Sequence, residues 1–133
     1  GHGIIRLEFL GGELLYAMRV KTHGRFNLCP SPVCNPEDGE GECAVPAHQV
    51  AAPPVEFFPF PEVPADAVET ARKIVRAAKL DVGGIEYLET DGGRGVFYDI
   101  NANSNLRPSV AAAFGFDPFE RVVDFLIREL GDR

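Results

Sequence analysis

Two β-rich runs, residues 4–10 and 13–20, flank Gly11-Gly12. A two-glycine connection between such runs is a strong hairpin signal, because the favoured two-residue turns need positive φ. Pairing about that turn puts Ile5, Leu7, Phe9, Leu14, Tyr16 and Met18 on one face and Arg6, Glu8 and Arg19 among Ile4, Leu15 and Ala17 on the other. The first is expected to be core, and the second to face solvent or a ligand.

Residues 21–62 sustain neither a period of two nor one of 3.6, and hold most of the prolines, Asp38-Gly39, Gly41 and all three cysteines. The stretch reads as a long ordered loop, of a length that within a compact domain is usually functional. Phe57, Phe58 and Phe60 are expected to pin its end to the core. Helical spacing returns over 65–80, where Val68, Ala71, Ile74, Val75 and Ala78 form an apolar stripe. Asp66 and Glu69 begin this helix and Arg72, Lys73, Arg76 and Lys79 follow, the order its dipole favours. A last helix is expected over 118–130, capped by Asp117, with Pro118 in the first turn and Val122, Phe125, Leu126 and Leu130 buried. Residues 108–114 read as a short helix closed by Gly115.

A second hairpin is expected from residues 83–90 and 95–101 about Asp91-Gly92-Gly93-Arg94. A loop of two or of four residues gives one register, with Glu86 opposite Asp99 and Gly84 opposite Asn101. Ile85, Tyr87, Val96, Tyr98 and Ile100 then share the core face, and Glu86, Leu88, Phe97, Asp99 and Asn101 the other. An odd loop or a bulge would break this pattern. The fold class expected is α+β: an antiparallel sheet of two hairpins packed with two or three helices, one domain over residues 1–133.

Composition narrows the class without naming a function. At 45% hydrophobic and 25% charged residues, the 133-residue chain suits one compact domain. No apolar run approaches the roughly 18 residues that span a bilayer, and no charged-then-apolar leader opens the chain, so a cytoplasmic location is expected. Gly1-His2-Gly3 read as residues left by cloning, ahead of a chain that continues a longer protein. A net charge of −7 argues against nucleic acid as a partner and suits a divalent cation better. Strands cut from a larger sheet leave open edges, so a homodimer of this piece is a further expectation.

Two carboxylates directly across a strand pair have Cβ atoms about 4.5–5.5 Å apart and repel unless something neutralises them. Mg²⁺ takes oxygen ligands in octahedral geometry, often one or two carboxylates plus substrate phosphates, and the Asn101 carbonyl adds a third ligand on the same face. Glu86, Asp99 and Asn101 are therefore the candidate metal ligands. Spacing alone is equally compatible with an exposed acidic strand pair.

What tips the balance is a resemblance. Asp81-Val82-Gly83-Gly84-Ile85-Glu86-Tyr87-Leu88, a glycine-rich turn and Tyr98-Asp99-Ile100-Asn101-Ala102-Asn103 resemble the end of the ATP-grasp fold. There an acid on one strand and an acid-x-Asn motif on the next bind Mg²⁺-ATP, positions that fall here on Glu86, Asp99 and Asn101. Upstream, Arg19 and Gly24-Arg25-Phe26-Asn27-Leu28 are similar to the Arg and Arg-x-Asn-Leu elements of the glutamate-ligase branch. Asp99 stands where the family more often has Glu, one methylene longer, and Asn103-Ser104-Asn105 replaces a Ser-Pro-Gly type turn. The resemblance implies the carboxyl-terminal half of an ATP-grasp domain, part of an ATP-dependent carboxylate–amine or carboxylate–thiol ligase. It implies ATP with Mg²⁺ or Mn²⁺ as cofactors, a carboxylate substrate activated as an acyl phosphate, Arg19 and Arg25 at the transferred phosphate, and Asn27 near the nucleotide. The isolated piece would lack the other nucleotide-gripping lobe and be inactive.

Cys29, Cys34, Cys43 and His48 offer four soft ligands with C-x₄-C-x₈-C-x₄-H spacing, a candidate zinc site that lacks the usual C-x₂-C pairs. The rival readings are a non-catalytic α+β binding or scaffold domain, in which Glu86→Ala and Asp99→Ala are harmless, and an interaction module built on a zinc-ordered loop over 29–48.

Overall fold

A computed structural model describes residues 3–22, 55–92 and 94–131. Five strands form one antiparallel sheet: β1 (Ile4–Leu10), β2 (Glu13–Lys21), β3 (Glu56–Pro59), β4 (Val82–Glu89) and β5 (Gly95–Asn101), in the spatial order β3-β2-β1-β4-β5. The helices are α1 (Ala65–Ala78), α2 (Pro108–Ala111) with a following 3₁₀ turn (Ala112–Phe114), and α3 (Pro118–Gly131). The architecture is α+β, and no helix is long and apolar enough to cross a membrane among the described residues.

The Gly11-Gly12 turn forms as expected, with φ of 60° and 80°, values that glycine reaches without a Cβ penalty. A β-bulge then adds one residue to β2 beyond the turn, shifting register between Glu8 and Phe9. From there on every side chain of β2 changes face. Ala17 and Arg19 join Ile5 and Leu7, while Tyr16, Met18 and Val20 join Glu8, Arg6 and Ile4. The expected one-sided core is therefore replaced by two. Ile5, Leu7, Phe9, Ala17, Ile85 and Tyr87 pack on Ala67, Ala71 and Val75 of α1. On the opposite face Ile4, Tyr16, Met18 and Val20 pack on Val110 and Ala111 of α2, with Phe114 and Phe116 around Tyr16.

The tail of the expected loop is a strand: β3 pairs with β2, setting Phe57 opposite Val20 and Phe58 opposite Arg19. The three phenylalanines do different jobs. Phe57 joins the α2 core, Phe60 joins the α1 core, and Phe58 is exposed. α1 ends two residues earlier than expected, at a left-handed Lys79 (φ 53°) whose N–H bonds to Arg76 O while Leu80 N–H bonds to Val75 O. In α3 the Asp117 carboxylate accepts the Phe119 N–H at 2.8 Å, the expected cap. The expected burial of Leu126 and Leu130 does not occur: they line an exposed apolar stripe with Phe119, Val123 and Ile127.

Candidate functional site

The antiparallel neighbours β1 and β4 place Arg6 opposite Glu86 and Glu8 opposite Gly84. Directly opposed residues point to one face, so the two glutamates and the arginine converge on the α2 side of the sheet. All three are buried, at 5%, 0% and 0% exposure for Arg6, Glu8 and Glu86. Arg6 Nε donates to Glu8 Oε1 at 2.5 Å, Nη1 to Glu86 Oε1 at 2.7 Å and Nη2 to the Asn103 carbonyl at 3.1 Å. The Asn105 N–H donates to Glu8 Oε1 at 3.1 Å, which ties the segment after β5 down over the cluster. Gly84 makes room for this: a Cβ there would overlap the Arg6 guanidinium. Charged groups this deep are tolerated only when paired and hydrogen-bonded, and the fork of Arg6 meets most of that demand.

β5 completes the site. Glu86 lies opposite Asp99 and Gly84 opposite Asn101, the expected register. It is reached by a different route, for the loop between Glu89 and Gly95 has an odd length, and a bulge opposite Glu86 restores what the loop shifts. Nearer the turn Tyr87 therefore opposes Phe97, and their rings pack at 5.2 Å between centroids. Phe97 belongs to the α1 face, contrary to expectation, and Val96, Tyr98 and Ile100 are exposed rather than core. The extra residue is Tyr98, which shares Glu86 with Asp99 and donates its hydroxyl to Glu86 Oε2 at 2.8 Å. Asn101 Nδ2 donates to Asp99 Oδ2 at 3.0 Å, which leaves the Asn101 carbonyl oxygen available as a ligand.

The electrostatics are unbalanced. Among the described residues, Glu8, Glu86 and Asp99 bring three carboxylates to the Arg6 guanidinium. Burial pushes the Glu8 carboxyl up, opposed by the Arg6 charge and hydrogen bond, the Asn105 N–H and the Ser104 hydroxyl. Among the described residues, Glu8 Oε2 and Ser104 Oγ are buried without a partner in strict hydrogen-bonding geometry. Burial first, then the hydrogen bond and charge of Glu86, and then the charge of Asp99 push the Tyr98 hydroxyl far up, so it stays a proton donor. A hard divalent cation fits this donor set, which is all oxygen and carries excess negative charge. Among the described residues no three His, Cys, Asp or Glu side chains form a closed metal cage, so such an ion would depend on the Asn101 carbonyl and on ligands from a bound phosphate.

Arg19 lies elsewhere. The β2 bulge turns it to the α1 face, opposite Ile5, where it pairs with Glu89 at 3.2 Å and stacks 4.7 Å from the Phe60 centroid. Arg25, Asn27, Cys29, Cys34, Cys43 and His48 lie outside the described residues. Arg6, Glu8 and Tyr98 are members of the cluster that the sequence did not single out. Turn chemistry fixes pairing within a hairpin, whereas Arg6 meets Glu86 only because β1 pairs with β4 across the two hairpins. A groove of about 590 Å³ runs between the first hairpin and α3, lined by Leu14, Leu15, Phe116 and Ile127 among others, and none of the charged cluster faces it.

No protein-family model matches the chain, and neither does any curated protein. Solved structures do. The ATP-grasp ligase PsnB, complexed with a phosphomimetic variant of its minimal precursor, Mg and ADP, superposes with a TM-score of 0.62 at 11% identity, over 97% of this chain and 32% of that one. The macrocyclase MdnC from Microcystis aeruginosa, bound with precursor peptide MdnA, gives 0.57 at 12% identity over 95% and 33%. The D-alanine–D-alanine ligase from Bacillus anthracis, complexed with ATP, gives 0.58 at 14% identity over 96% and 39%. The chain spans about a third of the length of these neighbours. At such identities the likeness is one of fold, and the chain has the ATP-grasp-like fold of part of these ligases.

Proposed function

We propose that this chain is the Mg²⁺-ATP-binding, carboxyl-terminal part of an ATP-dependent ligase that joins a carboxylate to an amine or thiol through an acyl phosphate. The observation that carries the reading is the opposition of Glu86 and Asp99 across β4 and β5, beside Asn101 and with Arg6 paired to Glu8 and Glu86. Bound Mg²⁺ would supply charge neutralisation on the phosphate oxygens. Asp99 and Asn101 would hold it from β5, and Glu86 from β4. Arg6 and Glu8 orient Glu86 and anchor the segment after β5. Arg19, turned to the α1 face, has no part in this reading. One of the three neighbours is bound with a precursor peptide and another with a variant of its minimal precursor, which makes a peptide carboxylate the first substrate class to test.

The test is isothermal titration of Mg²⁺-ATP into the full-length protein and its Asp99→Ala, Asn101→Ala variant. Binding that disappears in the variant is the expected result; binding that is absent, or unchanged by the substitutions, moves the assignment to a scaffold domain. One observation favours that second reading. Both Glu86 oxygens already have partners in Arg6 and Tyr98, as they would in a purely structural cluster.

A further inference from the structure

Three features fall outside the site as assigned: the exposed apolar stripe of α3, the groove beside it, and the hydroxyl of Tyr98. Only the last is built into the charged cluster. Glu86 is completely buried, and its Oε1 is held by Arg6. Its Oε2 is the oxygen turned toward β5, and there the only partner among the described residues is the Tyr98 hydroxyl at 2.8 Å. Tyr98 itself is 48% exposed, so its ring can leave without opening the core. The β5 bulge is what brings it in, since by strict alternation Tyr98 would face away from Asp99.

Resting on the metal reading above, we propose that in the metal-free chain the Tyr98 hydroxyl caps Glu86 Oε2 and competes with the divalent cation for that oxygen, so that Tyr98 sets how tightly the site holds its metal. A phenol donating to a carboxylate and a cation bound to it use the same electron-rich edge. A cation held by Glu86 and Asp99 would draw on the Glu86 Oε2 electron density to which the phenol now donates at 2.8 Å, so the two would compete for that oxygen. Tyr98 is a residue that acts through Glu86, and it takes no part in any bond-making step.

The probe is Mn²⁺, titrated into the full-length protein with free Mn²⁺ followed by electron paramagnetic resonance, for the wild type, Tyr98→Phe and Asp99→Asn. Tyr98→Phe keeps the ring and removes the cap, and is expected to tighten Mn²⁺ binding about tenfold, the scale of one lost charge-assisted hydrogen bond. In the wild type, Mg²⁺ should also change the tyrosine absorption difference spectrum, a signal that Tyr98→Phe abolishes. Asp99→Asn should lose the metal. If Asp99→Asn loses Mn²⁺ while Tyr98→Phe binds as the wild type does, or more weakly, the cap is overturned and the metal site stands. If the wild type binds no Mn²⁺, or Asp99→Asn changes nothing, the metal reading and the cap fall together.

Discussion

The two hairpins of the sheet each carry one bulge, and the bulges have opposite consequences. In the β1–β2 hairpin a regular two-glycine turn is followed by an uncompensated extra residue, which carries Arg19 away from the charged face and brings Tyr16 and Met18 onto it. In the β4–β5 hairpin the extra residue offsets an irregular loop, so Glu86 and Asp99 meet and Tyr98 arrives beside them. The first bulge builds a second hydrophobic core under α2; the second assembles an acidic site. A one-residue insertion thus decides whether a stretch of strand packs or does chemistry, because side-chain facing has a period of two.

If Arg6 is what holds the second arrangement together, its removal should be the most damaging change. Arg6→Met leaves Glu8 and Glu86 buried without their cation and should cost about 3–5 kcal/mol of stability. Chemical denaturation reads this directly. The matching change at the other bulge, Arg19→Ala, removes a pair whose side chains are 25% and 23% exposed and should cost less, about 1 kcal/mol. Equal losses would break the contrast between the hairpins.

Gly84→Ala probes the same cluster from β4. The added methyl overlaps the Arg6 guanidinium, and displacing it should cost about 1–3 kcal/mol, as overpacking in a dense interior does. A neutral Gly84→Ala would mean that Arg6 is not seated against β4.

A smaller effect separates the charged face from the rest by its response to pH. Burial raises the Glu8 carboxyl above its ordinary value of 4.5, so the folded chain holds that proton more tightly than the unfolded chain does. The contribution of Glu8 to stability is therefore fully present below pH 4.5 and is lost as pH rises through the raised value. Glu8→Gln should flatten that part of the stability profile, measured as Tm against pH. A profile unchanged by the substitution would contradict the burial of an under-satisfied carboxylate. The smallest change expected is a control away from both hairpins: Lys79→Gly relieves a left-handed non-glycine residue and should stabilise by about 1 kcal/mol, with no effect on metal or nucleotide.

Much of this was legible in the sequence because the signals were local. Gly11-Gly12 announces its turn, Asp117 its cap, and the 3.6-residue spacing of Ala71 and Val75 the buried side of α1. The opposition of Glu86 and Asp99 was also legible, although two departures from ideal geometry had to cancel for the arithmetic to hold. The bulges were not, since Leu15 and Tyr98 are ordinary strand residues that nothing in their neighbourhood marks as extra. Nor was the partnership of Arg6 with Glu86, which are 80 positions apart and meet through a β1–β4 pairing that no turn encodes. Pro-rich composition masked β3, whose four residues are held by pairing with β2 rather than by their own propensity.

The central claim is that the face bearing Glu86, Asp99 and Asn101 holds a divalent cation with its nucleotide. Crystals of the full-length protein grown with Mn²⁺ and ADP, with data collected at the manganese edge, locate the metal by its anomalous signal. The account predicts a peak within ligand distance of Asp99 and the Asn101 carbonyl, with Tyr98 swung off Glu86. Bound ADP with the manganese elsewhere, or with Asp99 and Asn101 still bonded only to each other, would contradict it.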